Sequence, residues 1–340
     1  MMPGTRFQGS KRKLAAWIGT ELQGVEYDTV LDAFGGTGSV GYELKARGKA
    51  VTYNDILRFN YLIGRALIEN RGQRLSDEAI DRAVTRDPRE VYGDFVERTF
   101  GGIYFTDDEN RWLDTAALNI ERLASASERA IAYYALFQSA MAKRPYNLFH
   151  RANLYMREAD VARTFGNKVT WDRPFESHFR KFAAEANRAI FDGGRDCRAL
   201  NGDALRVEGK YDLVYIDPPY VSARGGGVNY TDFYHFLEGL ADYERWPQRV
   251  DFSSKHRRFI PAADPWSSAA HISQAFDAVF ERFADSALAV SYRSDGIPSI
   301  GELRRMLGRY KSRVRVIEQA RYQYALSTNK RSTEVLLVAT

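Results

Sequence analysis

Residues 27–48 read YDTVLDAFGGTGSVGYELKARG, and this stretch decides the fold class. Its first part, residues 27–34, is a short apolar run that is typical of a buried strand. The glycine-rich GGTGSVG follows at once, and the more polar YELKARG after it favours a helix. The stretch therefore predicts a strand, a glycine loop and a helix, which together open a doubly wound α/β sheet.

Six further short runs have the character of strands. They cover residues 49–55, 196–203, 211–217, 286–292, 313–318 and 333–339. The roughly 140 residues between the first two runs and the later ones show helical spacing instead, with one buried helix predicted around residues 131–141 and another around 175–186. The simplest architecture is one α/β sheet domain with a mainly helical insertion.

The composition limits the class of protein. The 340 residues are 44% hydrophobic and 13% aromatic, which is enough for a sizeable core. The single cysteine, Cys197, excludes a disulfide framework and suits a reducing compartment. The five histidines lie far apart in the sequence, so no sequence-local metal site is expected. No apolar run reaches the length of a membrane span, and we expect a cytoplasmic protein.

The glycine loop indicates a ligand that contains adenosine. Gly36, Gly38 and Gly41 have the spacing GxGxxG, and Asp55 lies 17 positions after Gly38. NAD and S-adenosylmethionine both carry adenosine, so a dehydrogenase is one alternative, and a tight turn with a solvated aspartate is another. Asp32 favours S-adenosylmethionine, because a carboxylate at this position suits a cationic amino acid and repels a pyrophosphate.

The tetrad Asp217, Pro218, Pro219 and Tyr220 follows a strand-like run and carries the most specific signal in the chain. The Asp217 carboxylate and the Pro218 carbonyl can accept both hydrogens of an adenine amine, which turns the nitrogen lone pair toward a methyl sulfonium. The prolines fix the turn and remove competing donors, and Tyr220 offers a face on which an extruded base can stack. A plain Pro-Pro turn that ends the strand is the structural alternative.

These motifs together resemble the Dam-like group of DNA adenine N6-methyltransferases, in which a glycine motif, a target-recognition insertion and a DPPY motif follow one another. The resemblance covers nearly the whole chain. It implies a Rossmann-like class I methyltransferase fold with a seven-stranded, mostly parallel sheet. Residues 1–58 and 196–340 would form the catalytic domain, and residues 59–195 the helical target-recognition domain.

The resemblance also implies S-adenosylmethionine as the cofactor, and it assigns residues to the cofactor site. Residues 7–14, FQGSKRKL, look like the family's N-terminal motif, which binds the methionine end of the cofactor. The expected cofactor-binding residues are Phe7, Gly9, Ser10, Lys11, Asp32, Phe34, Gly35, Gly36, Gly38, Asn54, Asp55 and Asp203. A solvated helix face for Lys11 and a turn for Asp203 are the structural alternatives.

Within the insertion, residues 146–153 read YNLFHRAN and resemble the hairpin that enters DNA in this family. The match would place Tyr146 and Asn147 near the orphan partner of the target adenine, and Arg151 on a guanine edge or a phosphate. The expected DNA contacts are Lys143, Arg144, Tyr146, Asn147, Arg151, Asn153 and Lys168. A plain amphipathic turn is the alternative. Residues 163–168 lack the family's downstream proline, so the GATC target of the Dam enzymes is not assumed.

The net charge of +5 is informative once it is divided by segment. Residues 143–181 hold nine basic and four acidic side chains, an excess equal to that of the whole chain. Aromatic residues are interleaved with these charges, as expected for a surface that follows phosphates. The segments 249–258 and 304–315 are also basic, but the second is equally well explained by a solvated helix and strand edge and is not assigned to DNA.

Three rival functions are open at this stage. An RNA adenine N6-methyltransferase would use the same pocket, an NAD-binding oxidoreductase would use the glycine loop, and a catalytically silent DNA-binding protein would have no need of the tetrad. The preferred function is a site-specific DNA adenine methyltransferase, either in a restriction-modification system or as a solitary or phage enzyme. Double-stranded DNA is the expected partner, a cognate restriction endonuclease is a candidate partner, and we expect a monomer or weak dimer without a metal.

Overall fold

The computed structural model describes residues 2–4, 7, 9–159, 168–222, 227–319 and 332–340. Nine strands lie within these ranges. They are β1 (Thr29–Asp32), β2 (Ala50–Asp55), β3 (Arg198–Asn201), β4 (Leu213–Ile216), β5 (Val221–Ser222), β6 (Ala287–Arg293), β7 (Gly296–Ile297), β8 (Val314–Gln319) and β9 (Glu334–Ala339).

Seven of these strands form one sheet in the order β3-β2-β1-β4-β6-β9-β8. β1 pairs in parallel with β2 on one side and with β4 on the other, so the strand order reverses at β1. β9 runs antiparallel to both of its neighbours, and β5 and β7 pair in a separate two-stranded ribbon. Open α/β sheets bind ligands at the carboxyl ends of strands beside such a reversal.

The sheet confirms the predicted class I methyltransferase architecture of seven mostly parallel strands. Each of the seven predicted runs overlaps one of its strands, and two of these strands, β6 and β8, extend one residue beyond the run. Several observed strands are shorter than the predicted runs because the polar residues at the ends of a run do not pair with a neighbouring strand. Residues 196–203, for example, contribute only Arg198–Asn201 to the sheet.

Fourteen α-helices occur in the described part of the chain, besides short 3-10 and π segments. They are α1 (Ala15–Glu21), α2 (Ser39–Ala46), α3 (Arg58–Gly64), α4 (Asp77–Val84), α5 (Phe95–Phe100), α6 (Asp107–Glu121), α7 (Ala126–Ala142), α8 (Tyr155–Glu158), α9 (Lys168–Asp172), α10 (Phe175–Ala189), α11 (Tyr230–Ala241), α12 (Trp246–Arg249), α13 (Ile272–Arg282) and α14 (Ile300–Leu307). None of them is long and apolar enough to cross a membrane.

The chain divides into two compact units. The sheet unit comprises Gly9–Ile56, Gly193–Asn229 and Ala262–Thr340, and the helical unit comprises Met1–Gln8, Leu57–Asp192 and Tyr230–Pro261. Residues 1–8 and 230–261, which the sequence assigned to the catalytic domain, thus belong to the helical unit. The second segment does so because α11 packs against α3 and α7, with Glu238 accepting a hydrogen bond from the Phe59 amide at 3.0 Å.

The sheet unit is held by an apolar layer between its strands and two helices. α13 places Phe276, Val279 and Phe280 on one stripe, at the spacing of an amphipathic helix, and all three are buried. α14 begins with a capping box in which Ser299 and Glu302 satisfy each other's backbone amides. Every residue of β9 is buried, so this strand lies in the interior of the unit.

The helical unit is organised around α7, in which every residue from position 130 to 142 is buried. α10 packs against it and buries Phe175, Phe179, Phe182 and Ala186. These are the apolar positions from which the two helices were predicted, so both predictions are confirmed.

Candidate functional site

The glycine loop between β1 and α2 is shaped by its glycines. A Cβ atom on Gly35 would lie 2.0 Å from Cε2 of Tyr53, so any larger residue would displace that ring. Gly36 and Gly38 have φ angles of 50° and 73°, a region that L side chains rarely adopt. The Tyr53 hydroxyl donates to the Gly36 carbonyl at 2.6 Å. The loop is therefore tight and fixed from β2.

Three hydroxyl groups connect the start of the sheet unit to this loop. Oγ of Ser10 lies 3.2 Å from both Oγ1 of Thr37 and Oγ of Ser39, and these two atoms are 2.8 Å apart. Gly9, with a φ of 82°, turns the chain into this contact. The structure thus brings Gly9 and Ser10 to the glycine loop, and it adds Thr37 and Ser39 to the residues expected there.

Asp32 ends β1 with a buried carboxyl group that is only 1% exposed. Its Oδ2 accepts a hydrogen bond from the Gly41 amide at 3.1 Å. Among the described residues, its buried Oδ1 has no hydrogen-bond partner. Burial, reinforced by the charge of Asp217, raises the pKa of Asp32 to about 8. A buried acid with one unused oxygen suits a cationic donor such as the ammonium of an amino acid.

β2 ends in Asn54 and Asp55, both of which are buried. Oδ2 of Asp55 accepts a hydrogen bond from the Gly36 amide at 2.8 Å, which ties the end of β2 to the glycine loop. Asn54 donates to the carbonyls of Ala33 and Gly202 at 3.0 and 3.1 Å. Its buried Oδ1 has no partner within the described residues, so a second acceptor beside the loop is unsatisfied.

The DPPY tetrad begins directly after β4, on the other side of β1. Oδ1 of Asp217 accepts hydrogen bonds from Nζ of Lys11 and from the Tyr220 hydroxyl, each at 2.8 Å. In the described chain, this carboxylate accepts both of its hydrogen bonds through Oδ1. Its Oδ2 can therefore accept a hydrogen bond from a further donor. Burial raises the pKa of Asp217 to about 6, although the charge of Lys11 opposes the effect.

Lys11 is 5% exposed, so a solvated helix face is the wrong interpretation. Its ammonium group contacts the Tyr220 hydroxyl as well as Asp217. The resemblance placed Lys11 at the methionine end of a cofactor, whereas its observed charged partners are the carboxylates of Asp217 and Glu334. We define the Asp217 cluster as Lys11, Asp217, Tyr220 and Glu334.

Glu334, at the start of β9, is the member of this cluster that the sequence did not reveal. Its side chain is fully buried, and its Oε1 lies 3.3 Å from Nζ of Lys11. The same oxygen lies 3.2 Å from the Tyr220 hydroxyl oxygen and accepts a hydrogen bond from Oγ of Ser291 at 2.5 Å. The available signal was an acid within an otherwise apolar strand, because a buried carboxylate needs partners.

The aromatic residues of the site are partly buried by their neighbours. Tyr220 meets the ring of Tyr292 edge to face, with centroids 5.1 Å apart. Phe34, which follows the end of β1, meets Trp266 in the same manner at 4.7 Å. These contacts fix the planes of the two rings that could border a base or an adenosine.

Two residues expected to bind a cofactor have visible contacts of another kind. Phe7 belongs to the helical unit, where it stacks on Phe59 at 5.3 Å and contacts Tyr234 at 4.6 Å. Asp203 is exposed, and it caps the turn Ala204–Arg206 by accepting from the Leu205 amide at 3.0 Å. The visible role of Asp203 is that of a turn residue.

Lys143 and Arg144, expected to touch DNA, are each only 1% exposed. Lys143 forms an ion pair with Glu109 at 2.8 Å and donates to the carbonyls of Trp171 and Arg173. Arg144 donates to the carbonyls of Leu148 and Arg151, each at 2.9 Å, and lies over the Tyr104 ring. Their charged groups are engaged inside the unit, which argues against the predicted direct contact with a phosphate. Arg144 instead supports the loop that follows it, and Lys143 binds Glu109 and the segment around Trp171.

The segment after Arg144 is a loop and not a hairpin of paired strands. Pro145–Asn147 form a single turn in which Tyr146 and Asn147 have φ angles of 65° and 59°. Tyr146 is 60% exposed, which leaves most of its ring accessible. Left-handed backbone at two successive residues other than glycine costs free energy, and such strain often marks a functional segment.

The other residues expected at DNA differ in exposure. Arg151 is exposed, whereas Asn153 is buried with an Oδ1 that has no partner in the described chain. Lys168, on α9, is half exposed and pairs with Asp172 at 3.3 Å. Within residues 163–168, the segment that lacks the family's proline, positions 163–167 lie outside the described residues. We define the target loop as residues 145–153, and its exposed polar side chains are the candidates for DNA contact.

Comparison with known proteins identifies the family of the chain. Residues 7–256 match the profile of a family described as D12 class N6 adenine-specific DNA methyltransferase. The chain is similar to the Type II methyltransferase M2.HphI of Haemophilus parahaemolyticus, with 28% identity over 99% of this chain and 97% of the relative. It is also similar to the Type II methyltransferase M.NlaIII of Neisseria lactamica, with 27% identity over 89% of this chain and 87% of the relative. The Type II methyltransferase M.CviAII of Paramecium bursaria Chlorella virus 1 is 24% identical over 94% and 93%.

Proposed function

The chain belongs to the D12 class of N6 adenine-specific DNA methyltransferases, and we propose that it methylates the exocyclic amine of an adenine flipped out of double-stranded DNA, with S-adenosylmethionine as the methyl donor. The Type II methyltransferases among its relatives support a place in a restriction-modification system. In such a system, a cognate restriction endonuclease would cleave the DNA that this enzyme leaves unmethylated. We further propose that the protein is a cytoplasmic monomer or weak dimer.

The placement of Asp217 carries this proposal. Its carboxylate follows a strand at the carboxyl edge of the sheet, and Lys11 and Tyr220 fix its Oδ1. Oδ2 then faces a further donor, which we assign to one N–H of the adenine amine, and the Pro218 carbonyl accepts the other. With both hydrogens held, the nitrogen lone pair points away from the ring. Methyl transfer leaves a positive charge on the amine nitrogen, and the methylated amine then loses a proton readily. No strong base therefore has to act before the transfer.

The residues around the glycine loop fit S-adenosylmethionine. The unused Oδ1 of buried Asp32 suits the ammonium of the cofactor, and the end of β2, with Asn54 and Asp55, suits its ribose. Gly35 and Gly36 let the backbone approach the ligand closely. When bound, the cofactor supplies an electrophilic methyl group on a sulfonium. We assign Phe7, Phe34 and Asp203 to this site only by the family resemblance.

The target loop is the segment that we assign to DNA recognition. Arg151 is exposed and can read a guanine edge or hold a phosphate, and Tyr146 can fill the space of the extruded base together with Asn147. Asn153 and Lys168 are assigned as secondary contacts. Arg144 acts on DNA only indirectly, by holding the loop, and Lys143 is assigned to the packing of the helical unit. In this scheme the sheet unit carries catalysis and the helical unit carries target recognition.

Sequencing that reports modified adenine tests the function in cells. DNA from a host without its own methylases, expressing this chain, should contain N6-methyladenine at one short recurrent sequence, and a host expressing the Asp217→Ala variant should contain none. RNA from the same cells serves as the matched control, because an RNA methyltransferase would leave the DNA unmodified and place the mark in RNA.

A further inference from the structure

We propose that Glu334 is a positioning residue for methyl transfer: it holds the ammonium of Lys11, and through it the carboxylate of Asp217, in the orientation that receives the adenine amine. This inference rests on the proposed function, because it assigns a partner to the group that binds the target base. Glu334 belongs to none of the motifs that carry the family resemblance, and it lies 117 residues after Asp217 in the chain.

The contacts of one oxygen define the arrangement. Oε1 of Glu334 lies 3.3 Å from Nζ of Lys11, while Nζ lies 2.8 Å from Oδ1 of Asp217. The Tyr220 hydroxyl links the two acids, at 3.2 Å from Glu334 and 2.8 Å from Asp217. Ser291, on the neighbouring strand β6, donates to the same oxygen and holds Glu334 in its rotamer.

The chemistry of the ammonium explains why a second acid is present. A lysine has three N–H donors, and Asp217, Tyr220 and Glu334 place three acceptors around Lys11. If the buried ammonium bound Asp217 alone, rotations within the long lysine side chain could move the ammonium group, and the carboxylate would move with it. Glu334 lies on a fully buried strand of the sheet, so it supplies a rigid second point of attachment.

Charge gives this role a signature that packing alone would not have. Lys11 favours the ionised form of Asp217, whereas the negative charge of Glu334 disfavours it. Loss of Glu334 should therefore lower the pKa of Asp217, and loss of Lys11 should raise it. Within the described residues, the titratable groups that interact electrostatically with Asp217 are Lys11, Tyr220, Glu334, Asp32 and Tyr215.

The test compares single-turnover methyl transfer by the full-length protein and its Glu334→Gln variant across a range of pH. We expect the variant to be about 10- to 100-fold slower, as misplacement of a reacting group by a fraction of an ångström can produce. The acid limb of its pH profile should move to lower pH, while that of Lys11→Met should move to higher pH. Adding Glu334→Gln to Lys11→Met should cause no further loss, because Glu334 acts through Lys11.

Controls separate the possible failures. Glu318→Gln changes an exposed acid on the adjacent strand β8 and should leave the rate and the profile unchanged. If Glu334→Gln does not fold, Ser291→Ala removes the donor that orients Glu334 and should slow transfer severalfold with the same direction of pH shift. A wild-type rate and profile in the folded variants, or additive losses in the double variant, would overturn the inference. An inactive wild-type protein would instead overturn the proposed function.

Discussion

Nζ of Lys11 lies 2.8 Å from Oδ1 of Asp217, although 206 residues separate them in the chain. The pair joins the first turn of the sheet unit to the end of β4, and it fixes one oxygen of the carboxylate to which we assign the target amine. The lysine charge also opposes the effect of burial on the acid. Lys11 thus orients Asp217 and favours its ionised form.

The rate of methyl transfer should depend on the ionisation of Asp217. Burial raises its pKa to about 6, so the free enzyme loses the acceptor form as the pH falls through that value. We expect kcat/KM to decline below about pH 6, by roughly tenfold for each unit once the acid is mostly protonated. Steady-state assays between pH 5 and 8 test this, and a rate that stays constant down to pH 5 would contradict it.

Cofactor binding should release a proton from Asp32. Burial raises the pKa of this acid to about 8, so the free protein holds it protonated at neutral pH. An ammonium placed against it favours the ionised form, and the proton then leaves for the solvent. Titration calorimetry at pH 7, in buffers with different ionisation enthalpies, should show release of up to one proton for each S-adenosylmethionine bound. The Asp32→Asn variant should bind more weakly and release none; equal release by both proteins would exclude this assignment.

We expect Tyr146 to assist base flipping although its backbone conformation lowers the free energy of unfolding. Its φ of 65° is unfavourable for a tyrosine by about 1 kcal/mol, and its ring is 60% exposed. We expect Tyr146→Gly to leave the free energy of unfolding unchanged or slightly higher, while methylation of fully paired DNA falls at least tenfold. A duplex with a mismatched target adenine should recover most of the rate, because an unpaired base needs less help to leave the stack. Equal loss on both duplexes would argue against a role in flipping.

Arg151 and Arg144 should separate recognition from folding. Arg151→Ala should weaken DNA binding by about 1–3 kcal/mol or relax the sequence preference, with cofactor affinity and melting temperature unchanged. Arg144→Ala should instead destabilise the protein by about 3 kcal/mol, because it leaves the buried carbonyl of Leu148 and the partly buried carbonyl of Arg151 without this donor.

The exposed Arg98 on α5 provides the matched loss of charge, since it pairs only loosely with Asp94 at 3.7 Å. Arg98→Ala should change neither DNA binding nor stability appreciably. If it weakened DNA binding as much as Arg151→Ala does, the effect of Arg151 would reflect net charge and not a specific contact.

The fold was predictable because it follows from local patterns. Each strand of the main sheet falls on one of the strand-like runs, and α7 and α10 carry apolar side chains at helical spacing. The membership of α11 in the helical unit was not predictable, because it depends on packing against α3 and α7 between segments distant in sequence.

The site was predictable only where its residues fall in contiguous motifs. Basic residues near the target loop were taken together as a surface, but Lys143 and Arg144 point inward, where backbone carbonyls and Glu109 accept hydrogen bonds from them. Sequence charge counts cannot distinguish these cases. Glu334 escaped prediction because its partners come from β6, the DPPY turn and the N-terminal turn, which only the folded sheet brings together.

Methyl transfer by the purified protein tests the central claim most directly. The protein is incubated with methyl-labelled S-adenosylmethionine and either duplex DNA or RNA, and the digested nucleosides are separated. We predict label in N6-methyladenine from DNA, none in RNA, and a loss of about a thousandfold or more in Asp217→Ala with cofactor and DNA binding retained. Label in another base or in RNA, or full activity in the Asp217→Ala variant, would contradict the account.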